Sequence, residues 1–445
     1  MTKYSVAVVG LGFVGLSTAA CFAKLGAKVL GVDIDKKKIA AVEKGVLSFY
    51  EPGLKPILKK VIKDGSFTVS SNIRLVAQAP IIFIVVGTPS KEDGSMEDRF
   101  LLSVSRQIGA GIKGSNSYHL IVVKSTGIPG TSLKLVVPEI GKASGLKYGE
   151  GFGACSNPEF LREGSAIEDT LNPDRIIIGG RPKDTEMLKT FYKKIYGKKL
   201  PKVICTNPTN AELIKYANNA FLAMKISFIN QIARVCEMLP ESDITVISDG
   251  IGLDKRINPL FLRAGLGFGG SCFPKDVKAF IEFSKKLGYR PLLAEATMKI
   301  NEDQAISAVK MAEGKLGNLE GKKIALLGLA FKPDTDDMRE AVSITIVEEL
   351  LKRKAKVFAH DPKAHNTAAT IFSGKISLEK NAKACLKDAD CAILVTEWKE
   401  YAALRPNAFT KLMKNPVLID GRRLFNAYEF SKHLDFAAVG LGARI

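Results

Sequence analysis

Residues 10–15 read Gly-Leu-Gly-Phe-Val-Gly, directly behind the β-branched run 5–9 and ahead of an alanine-rich stretch. A Gly-x-Gly-x-x-Gly between a strand and a helix restricts the fold sharply, because each glycine answers a separate steric demand. Gly10 permits the tight turn, Gly12 lets the backbone approach a pyrophosphate, and Gly15 allows the helix to pack closely on the strand. Phe13 and Val14 complete this cofactor loop, and the helix N-terminus behind them offers a positive dipole end. Asp33 ends the next strand run roughly 20 residues on, where a carboxylate accepts from both ribose hydroxyls and repels a 2′-phosphate. NAD is thereby favoured over NADP. Lys36, Lys37 and Lys38 follow. They read as a solvated helix start or, for one of them such as Lys38, as a cofactor contact tolerant of the extra phosphate.

The alternation of strand and helix patterns continues to about residue 180, with strand runs at 5–9, 29–32, 81–86, 120–124, 153–156 and 176–178. This is the signature of a parallel sheet with crossover helices. Between 210 and 238, Leu213, Ala217, Ala220, Phe221, Met224, Phe228, Ile232 and Val235 recur every three or four residues, unbroken by Gly or Pro. A helix of that length, rising about 1.5 Å per residue, spans a domain and connects two lobes. Its apolar residues fall on more than one side, which predicts a homodimer or higher homo-oligomer. A second α/β pattern follows, with strand runs at 324–327, 356–359, 392–396 and 417–419. Its opening at 325–331 loosely echoes 8–13, as a distant duplication would. The fold class is α/β: two Rossmann-like doubly wound domains joined by a long central helix and a helical middle domain.

At 445 residues the chain exceeds one ordinary core. Its 46% hydrophobic and 25% charged residues are average for a soluble globular protein and exclude disordered or collagen-like structure. Apolar stretches such as 81–86 fall well short of the ~20 residues of a membrane span, and Met1-Thr2-Lys3-Tyr4 enters a strand pattern instead of a signal peptide. The seven cysteines are scattered and odd in number, which argues against a disulfide framework or a metal site and for a reducing cytoplasm. The net charge of +19 is spread along the chain and is not interleaved with aromatics. It fits a phosphate-bearing small molecule rather than a specific nucleic acid or a membrane.

Residues 267–276, Gly-Phe-Gly-Gly-Ser-Cys-Phe-Pro-Lys-Asp, set a cysteine after a flexible turn and before a charged pair. Cys21, Cys155, Cys236 and Cys391 lie in apolar runs and read as small core residues. Cys272 differs, because its glycines leave room for a ligand and Lys275 favours the thiolate. Lys215 and Asn219, four apart on the long helix, share a face where they stabilise an oxyanion or merely form helix surface.

Taken with Gly87-Thr88-Pro89, Lys124-Ser125-Thr126, Asn157-Pro158-Glu159-Phe160-Leu161-Arg162-Glu163-Gly164 and Ala330-Phe331-Lys332, this loop resembles the UDP-glucose/GDP-mannose dehydrogenase family. The resemblance runs from Val6 to about Phe425. It implies a four-electron oxidation in which the C6 alcohol of a nucleotide sugar, UDP-glucose, becomes a carboxylate through two hydride transfers to NAD. Cys272 would hold the intermediate as a thiohemiacetal and then a thioester, with Asp276 assisting the hydrolytic water. Glu159 would hold or activate a water, Lys215 and Asn219 would meet the oxyanion, and Thr126 would hold the water of the first step. Near the cofactor the resemblance implies Thr88, Glu163, Lys275 and Arg339. For the substrate it implies Phe160, Leu161, Phe261 and Gly269 beside Lys215 and Asn219, with Phe331 and Lys332 at the nucleotide. Arg256 would reach a neighbouring subunit's site, and Arg263, Arg422 and Arg423 would add to the nucleotide pocket, the last two equally readable as solvated surface. Gly127 and Ile128 depart from the family's pattern beside Thr126.

The implied domains are 1–205 for NAD, 206–300 for helical dimerisation, and 301–445 for the UDP of the nucleotide sugar. Ser271 before Cys272 resembles the glucose and mannose enzymes, since relatives acting on N-acetylated sugars carry His there, and 256–263 resembles the UDP-glucose enzymes. The alternatives are GDP-mannose or a UDP-N-acetylhexosamine as substrate, a two-electron dehydrogenase that needs no cysteine, and a nucleotide-binding regulatory protein.

Overall fold

The computed structural model describes residues 3–443. Met1 and Thr2, where the expectation of no signal peptide begins, and Arg444 and Ile445, at the end of the expected third domain, lie outside the described residues. Chain contacts define two compact units, one running to Asn218 and the other starting at Asn219.

The first unit is built on eight strands: β1 (Val6–Val9), β2 (Val29–Val32), β3 (Phe67–Ser70), β4 (Ile81–Ile84), β5 (His119–Val123), β6 (Phe152–Ser156), β7 (Arg175–Gly180) and β8 (Lys202–Thr206). Their order is β3-β2-β1-β4-β5-β6-β7-β8. β1, β2, β4, β5 and β6 are buried along their whole length, as strands covered on both faces by helices must be. Every pairing is parallel except β6 with β7, where Cys155 faces Gly180 and Ser156 faces Gly179 in antiparallel register. The expected all-parallel sheet is therefore interrupted once. A buried apolar run carries no mark of its direction, so 176–178 is recognisable as a strand but not as a reversed one. β3 and β8 escape the sequence pattern because they are edge strands: β8 is largely exposed and opens on Lys202.

The predicted long helix is present as Pro208–Glu237 and passes from one unit into the other. The second unit carries β9 (Lys323–Leu327), β10 (Lys356–His360), β11 (Ser377–Leu378), β12 (Cys391–Leu394), β13 (Val417–Asp420) and β14 (Asp435–Ala438). All are parallel, in the order β11-β10-β9-β12-β13-β14. A helical region precedes this sheet, and the helix Leu292–Leu316 buries Ala305, Ala308, Val309 and Ala312 in the same core as Ile324–Leu327. The architecture is α/β with parallel sheets and a helical middle region. Among the described residues no helix is long and apolar enough to cross a membrane, and no three metal-ligating side chains cluster.

Candidate active site

The cofactor loop follows β1. Gly10 has φ +96°, and a Cβ there would sit 2.5 Å from the Val85 carbonyl oxygen. A Cβ on Gly15 would collide with the Gly10 carbonyl itself. The protein's own packing thus demands glycine at both positions. Gly12 is different, since a Cβ there would meet no protein atom within 4 Å. Its glycine makes sense as clearance for a ligand at the N-terminus of the helix Phe13–Lys24. Asp33, at the end of β2, accepts from Leu11 N–H at 2.8 Å, Asp35 N–H at 3.0 Å and Lys38 Nζ at 2.9 Å. Burial pushes its pKa up, but these donors outweigh burial and hold the carboxyl below the usual carboxylate range. Three donors on two oxygens leave acceptor capacity for a ribose hydroxyl. Lys38 is thus bonded to Asp33 rather than left as a free surface cation. These residues fit NAD: Gly10, Gly12, Gly15 and Asp33 would hold it.

A second cluster in the first unit gathers at the ends of β5 and β6. Glu159, just past β6, is buried, and Lys215 Nζ donates to its Oε1 at 2.9 Å and to its backbone carbonyl at 2.6 Å. Leu161 N–H donates to Oε2 at 2.5 Å. Burial raises the Glu159 pKa, but Lys215 foremost, then Leu161 N–H and Lys124, outweigh it and keep the group a carboxylate. Lys215 is therefore not helix surface; its ammonium is buried and matched. The Phe160 ring lies under the Arg175 guanidinium at 4.0 Å, with Lys215 Nζ 5.3 Å from its centre. Thr126 is half-buried, and its carbonyl accepts from the buried Thr88 hydroxyl at 2.9 Å. At the departing Gly127, a Cβ would sit 2.6 Å from the Thr131 side chain, so glycine is needed there by its own loop. Glu163 is half-buried in the same segment.

The thiol loop belongs to the second unit. Cys272 caps the helix Phe273–Lys286, an electrostatic setting that favours a thiolate, and its Sγ is 3.7 Å from Ser271 Oγ. Asp276, in the first turn, is buried; it accepts from Asn219 Nδ2 at 2.6 Å and from Lys275 Nζ at 2.6 Å. Asn219, too, is a buried group and not helix surface.

The Gly-rich backbone ahead of Cys272 is held by buried side-chain amides that the sequence analysis passed over. Asn301 bonds both groups of Phe268, accepting from its N–H at 2.7 Å and donating to its carbonyl at 2.9 Å. Gln304 donates to the Gly265 carbonyl at 2.8 Å, and Asn230 accepts from Gly265 N–H at 2.8 Å. The available signal was polar residues at core positions of helical runs.

Loops of the second sheet close on this turn. Gly270 N–H donates to the Arg339 carbonyl at 2.9 Å, a Cβ on Gly270 would sit 2.7 Å from the Phe331 ring, and one on Gly269 would strike the Glu340 carbonyl. Arg422 donates to the Val395 carbonyl at 2.7 Å and to the Gly267 carbonyl at 3.2 Å, so it is built into the loop. Arg423 instead pairs with Asp243 at 2.7 Å. Neither guanidinium is solvated surface. Lys332 is half-buried, 5.6 Å from the Phe331 ring, and the Phe261 ring lies 6.0 Å from Phe273. Arg256, Arg263 and the Arg339 side chain are exposed and pair locally with Asp254, Asp249 and Asp337. These ion pairs are local, while the Arg339 backbone carbonyl accepts from Gly270 N–H in the turn before Cys272.

Comparison with known proteins agrees with this architecture. Three models of the UDP-glucose/GDP-mannose dehydrogenase family match in chain order: the NAD binding domain over residues 4–198, the central domain over 209–303 and the UDP binding domain over 325–427. The chain is 41% identical to the UDP-glucose 6-dehydrogenase TuaD of Bacillus subtilis, covering 95% of this chain and 90% of that one. It is 37% identical to the UDP-glucose 6-dehydrogenase AglM of Haloferax volcanii, covering 95% and 98% respectively. A UDP-glucose dehydrogenase structure from the archaeon Pyrobaculum islandicum superposes with a TM-score of 0.91 at 36% identity, over 98% of both chains. NAD is accordingly the cofactor, and the chain belongs to the UDP-glucose/GDP-mannose dehydrogenase family of NAD-dependent oxidoreductases acting on nucleotide sugars.

Proposed function

We propose that the chain oxidises UDP-glucose to UDP-glucuronate, with two NAD consumed per sugar. The observation that carries this reading is Cys272, a half-buried thiol at a helix N-terminus with the Asn219–Asp276–Lys275 set one turn on. A two-electron alcohol dehydrogenase has no use for it. Bound NAD supplies the hydride acceptor for both oxidations.

A water held at Thr126 and Glu159 takes the proton of the C6 hydroxyl in the first oxidation. The Cys272 thiolate then adds to the aldehyde carbon, forming the C–S bond of a thiohemiacetal and keeping the reactive aldehyde from escaping. Lys215 and the Asn219 amide stabilise the oxyanion that remains. Loss of the second hydride leaves a thioester. Water then adds to its carbonyl with help from Asp276, the C–S bond breaks, and the thiolate is returned. Thr88, Glu163, Lys275 and Arg339 serve the cofactor in this reading, and Phe160, Leu161, Phe261, Gly269, Phe331, Lys332 and Arg422 serve the substrate. Arg423, held by Asp243, belongs to the frame of the pocket. The domains are 1–205 for NAD, 206–300 for dimerisation and 301–445 for UDP.

The solved UDP-glucose dehydrogenase supports the choice of sugar, with a TM-score of 0.91 against 0.55 for a GDP-mannose dehydrogenase from Pseudomonas aeruginosa. For the assembly the reading is a homodimer or higher homo-oligomer. Phe221, Phe228 and Val235 are spaced by seven along the long helix and are 58%, 49% and 50% exposed, a seam that a second copy covers by symmetry. A cytoplasmic setting is supported by the scattered cysteines, of which Cys21, Cys155, Cys236, Cys385 and Cys391 are buried singly.

The test is NADH counted per sugar with UDP-glucose, UDP-galactose, GDP-mannose and UDP-N-acetylglucosamine, for wild type, Cys272→Ser and Cys272→Ala. Two NADH from UDP-glucose, with turnover lowered at least ~10³-fold in both variants, is the expected result. The Ser variant should also accumulate a covalent sugar ester detectable by intact mass, because an alkoxide leaves more slowly than a thiolate. Two NADH per sugar from Cys272→Ala would refute the mechanism, and sedimentation as a monomer would refute the dimer.

A further inference from the structure

The end of β5 brings another charge to the Glu159 cluster, one to which the resemblance assigns no role. Lys124 is only 9% exposed, and among the described residues its ammonium makes one hydrogen bond, a long one of 3.3 Å to Asn157 Oδ1. An ammonium has three donors and a large hydration energy, so one long bond compensates little of the cost of burying it. Asn157 is itself committed: its Oδ1 also accepts from the Tyr192 hydroxyl at 2.6 Å, and its Nδ2 donates to the Ile177 carbonyl at 2.7 Å. Lys215 shows the contrast, since its ammonium donates to two oxygens of Glu159. Nothing in the packing of β5 requires a cation, because His119–Val123 is buried throughout and four of its five residues are aliphatic.

A methionine would fill the same space without a charge, and replacing an ill-matched buried charge by an apolar side chain is commonly neutral or stabilising. Lys124 therefore has to be explained by what its charge does. The charged groups it feels are Glu159, beyond β6, and Lys215, on the long helix; Asn157 and Tyr192 are its neutral polar neighbours. Its field reaches the Glu159 carboxylate, adding to that of Lys215.

We propose that Lys124 is a positioning residue for the reaction: held by Asn157 near Glu159, its ammonium adds to that of Lys215 in keeping the Glu159 carboxylate ionised in a buried site, and it acts on the chemistry only through Glu159. This rests on the reading in which Glu159 serves the water of the first oxidation. Burial lowers the Lys124 pKa to about 8, with Glu159 opposing and Lys215 reinforcing the shift. The pair of charges is complete at neutral pH and halved as pH rises past that value.

The experiment compares wild type with Lys124→Met and with Lys124→Gln, which retains a donor toward Asn157 but no charge. Two readouts are followed from pH 7 to pH 10: thermal unfolding, and kcat and KM with UDP-glucose. The folded state binds the Lys124 proton more weakly than the unfolded chain does. The unfolded chain thus holds more protons between about pH 8 and the ordinary lysine value, and the wild type gains stability from this group as pH rises through that window. The Met variant should unfold at or above the wild-type temperature at pH 7, and its advantage should shrink by pH 10. Both variants should lose about 10²-fold in kcat at pH 7 with KM little changed, the size of effect that follows a misplaced catalytic group. Both should also lose the decline of kcat above pH 8. Wild-type kcat in Lys124→Gln would overturn the proposal, as would a Met variant destabilised equally at all pH values, which would mark a plain structural ion pair. The reading of Glu159 is tested apart by Glu159→Gln: full turnover there removes the role of Glu159, while the unfolding readout, which needs no substrate, still reports whether Lys124 carries an uncompensated charge.

Discussion

Asn301 offers the clearest test of whether the loop ahead of Cys272 is shaped by buried amides. In Asn301→Ala the Phe268 N–H and carbonyl both lose their partner, at 2.7 and 2.9 Å, where water is excluded. Each backbone group left unsatisfied in such a place costs about 1–3 kcal/mol, so the pair amounts to roughly 2–6 kcal/mol. For a unit of this size, from Asn219 onward, that corresponds to a fall in Tm of about 4–24 °C. Gln304→Ala also removes two bonds, its donation to the Gly265 carbonyl and its acceptance from Arg234 Nε, and serves as a control of comparable loss that leaves Phe268 untouched. The functional consequence is separable from stability. Phe268 lies four residues before Cys272 and its ring packs edge-on at 5.9 Å against Phe273, which opens the helix that Cys272 caps. Loosening Phe268 should change the rate at which a small alkylating reagent modifies Cys272 and should lower kcat more than it raises KM for UDP-glucose. Calorimetry, alkylation followed by peptide mass, and steady-state kinetics at 25 °C make the measurement. A variant with Tm within ~2 °C of wild type, unchanged alkylation and unchanged kcat would refute the argument.

Asp33→Ala should weaken NAD far more than NADP in direct binding measurements, and equal weakening would remove Asp33 from the ribose. Gly12→Ala should fold with near wild-type Tm yet lose NAD affinity, whereas Gly15→Ala should lose stability, because only at Gly15 would the new methyl collide with the protein's own backbone; the opposite ranking would refute the division of labour in the loop. Lys215 is the chief cause of the lowered Glu159 pKa once burial is set aside, so Lys215→Met should move the acidic limb of the kcat profile upward, as well as lowering kcat. The sign follows from the chemistry: a depressed carboxyl pKa keeps wild-type activity present above the ordinary carboxylate value and loses it only as pH falls below, and an unmoved limb would detach Lys215 from Glu159.

The parts of the molecule legible in the sequence are those where a steric or periodic rule leaves one answer. Gly10 and Gly15 are read correctly because backbone crowding excludes a side chain, and the long helix because its apolar spacing persists without Gly or Pro. Elements were missed where the rule is silent. The reversal of β7 leaves no trace in a buried run, and β8 and the two-residue β11 are too exposed or too short to show alternation. At the site, residue types marked Cys272, Glu159 and Lys215, but not their supports. Asn301, Gln304 and Asn230 act through backbone groups more than 30 positions away in the chain, a pairing that exists only after the fold has formed. The exposed Arg256 and Arg263 show the converse: their residue types mark them, yet in the fold each pairs with a carboxylate near it in the chain, Asp254 and Asp249.

The two sheets explain how one topology yields two kinds of binding. Both run in the order third, second, first, fourth, fifth, sixth strand, and both begin with a left-handed glycine, Gly10 at φ +96° and Gly328 at φ +97°. Both also end their second strand beside an aspartate whose carboxylate accepts from the glycine loop, Asp33 from Leu11 N–H and Asp361 from Leu329 and Ala330 N–H. The resemblance then breaks at two points that matter for a dinucleotide. Asp361 further accepts from Trp398 Nε1 and from Lys363 and Ala364 N–H, so five donors occupy two oxygens and no capacity is left for a ribose. And where the helix of the first loop starts three residues past Gly10, the helix after Gly328 starts only at Val342, so its N-terminus is not held at the turn to receive a pyrophosphate. The intervening segment instead carries Phe331 and Arg339 onto Gly270. The loop that would cradle phosphate in a Rossmann fold has become a wall of the turn ahead of Cys272, so that the second sheet shapes the thiol loop and keeps neither the ribose acceptor nor the helix N-terminus that a second dinucleotide needs.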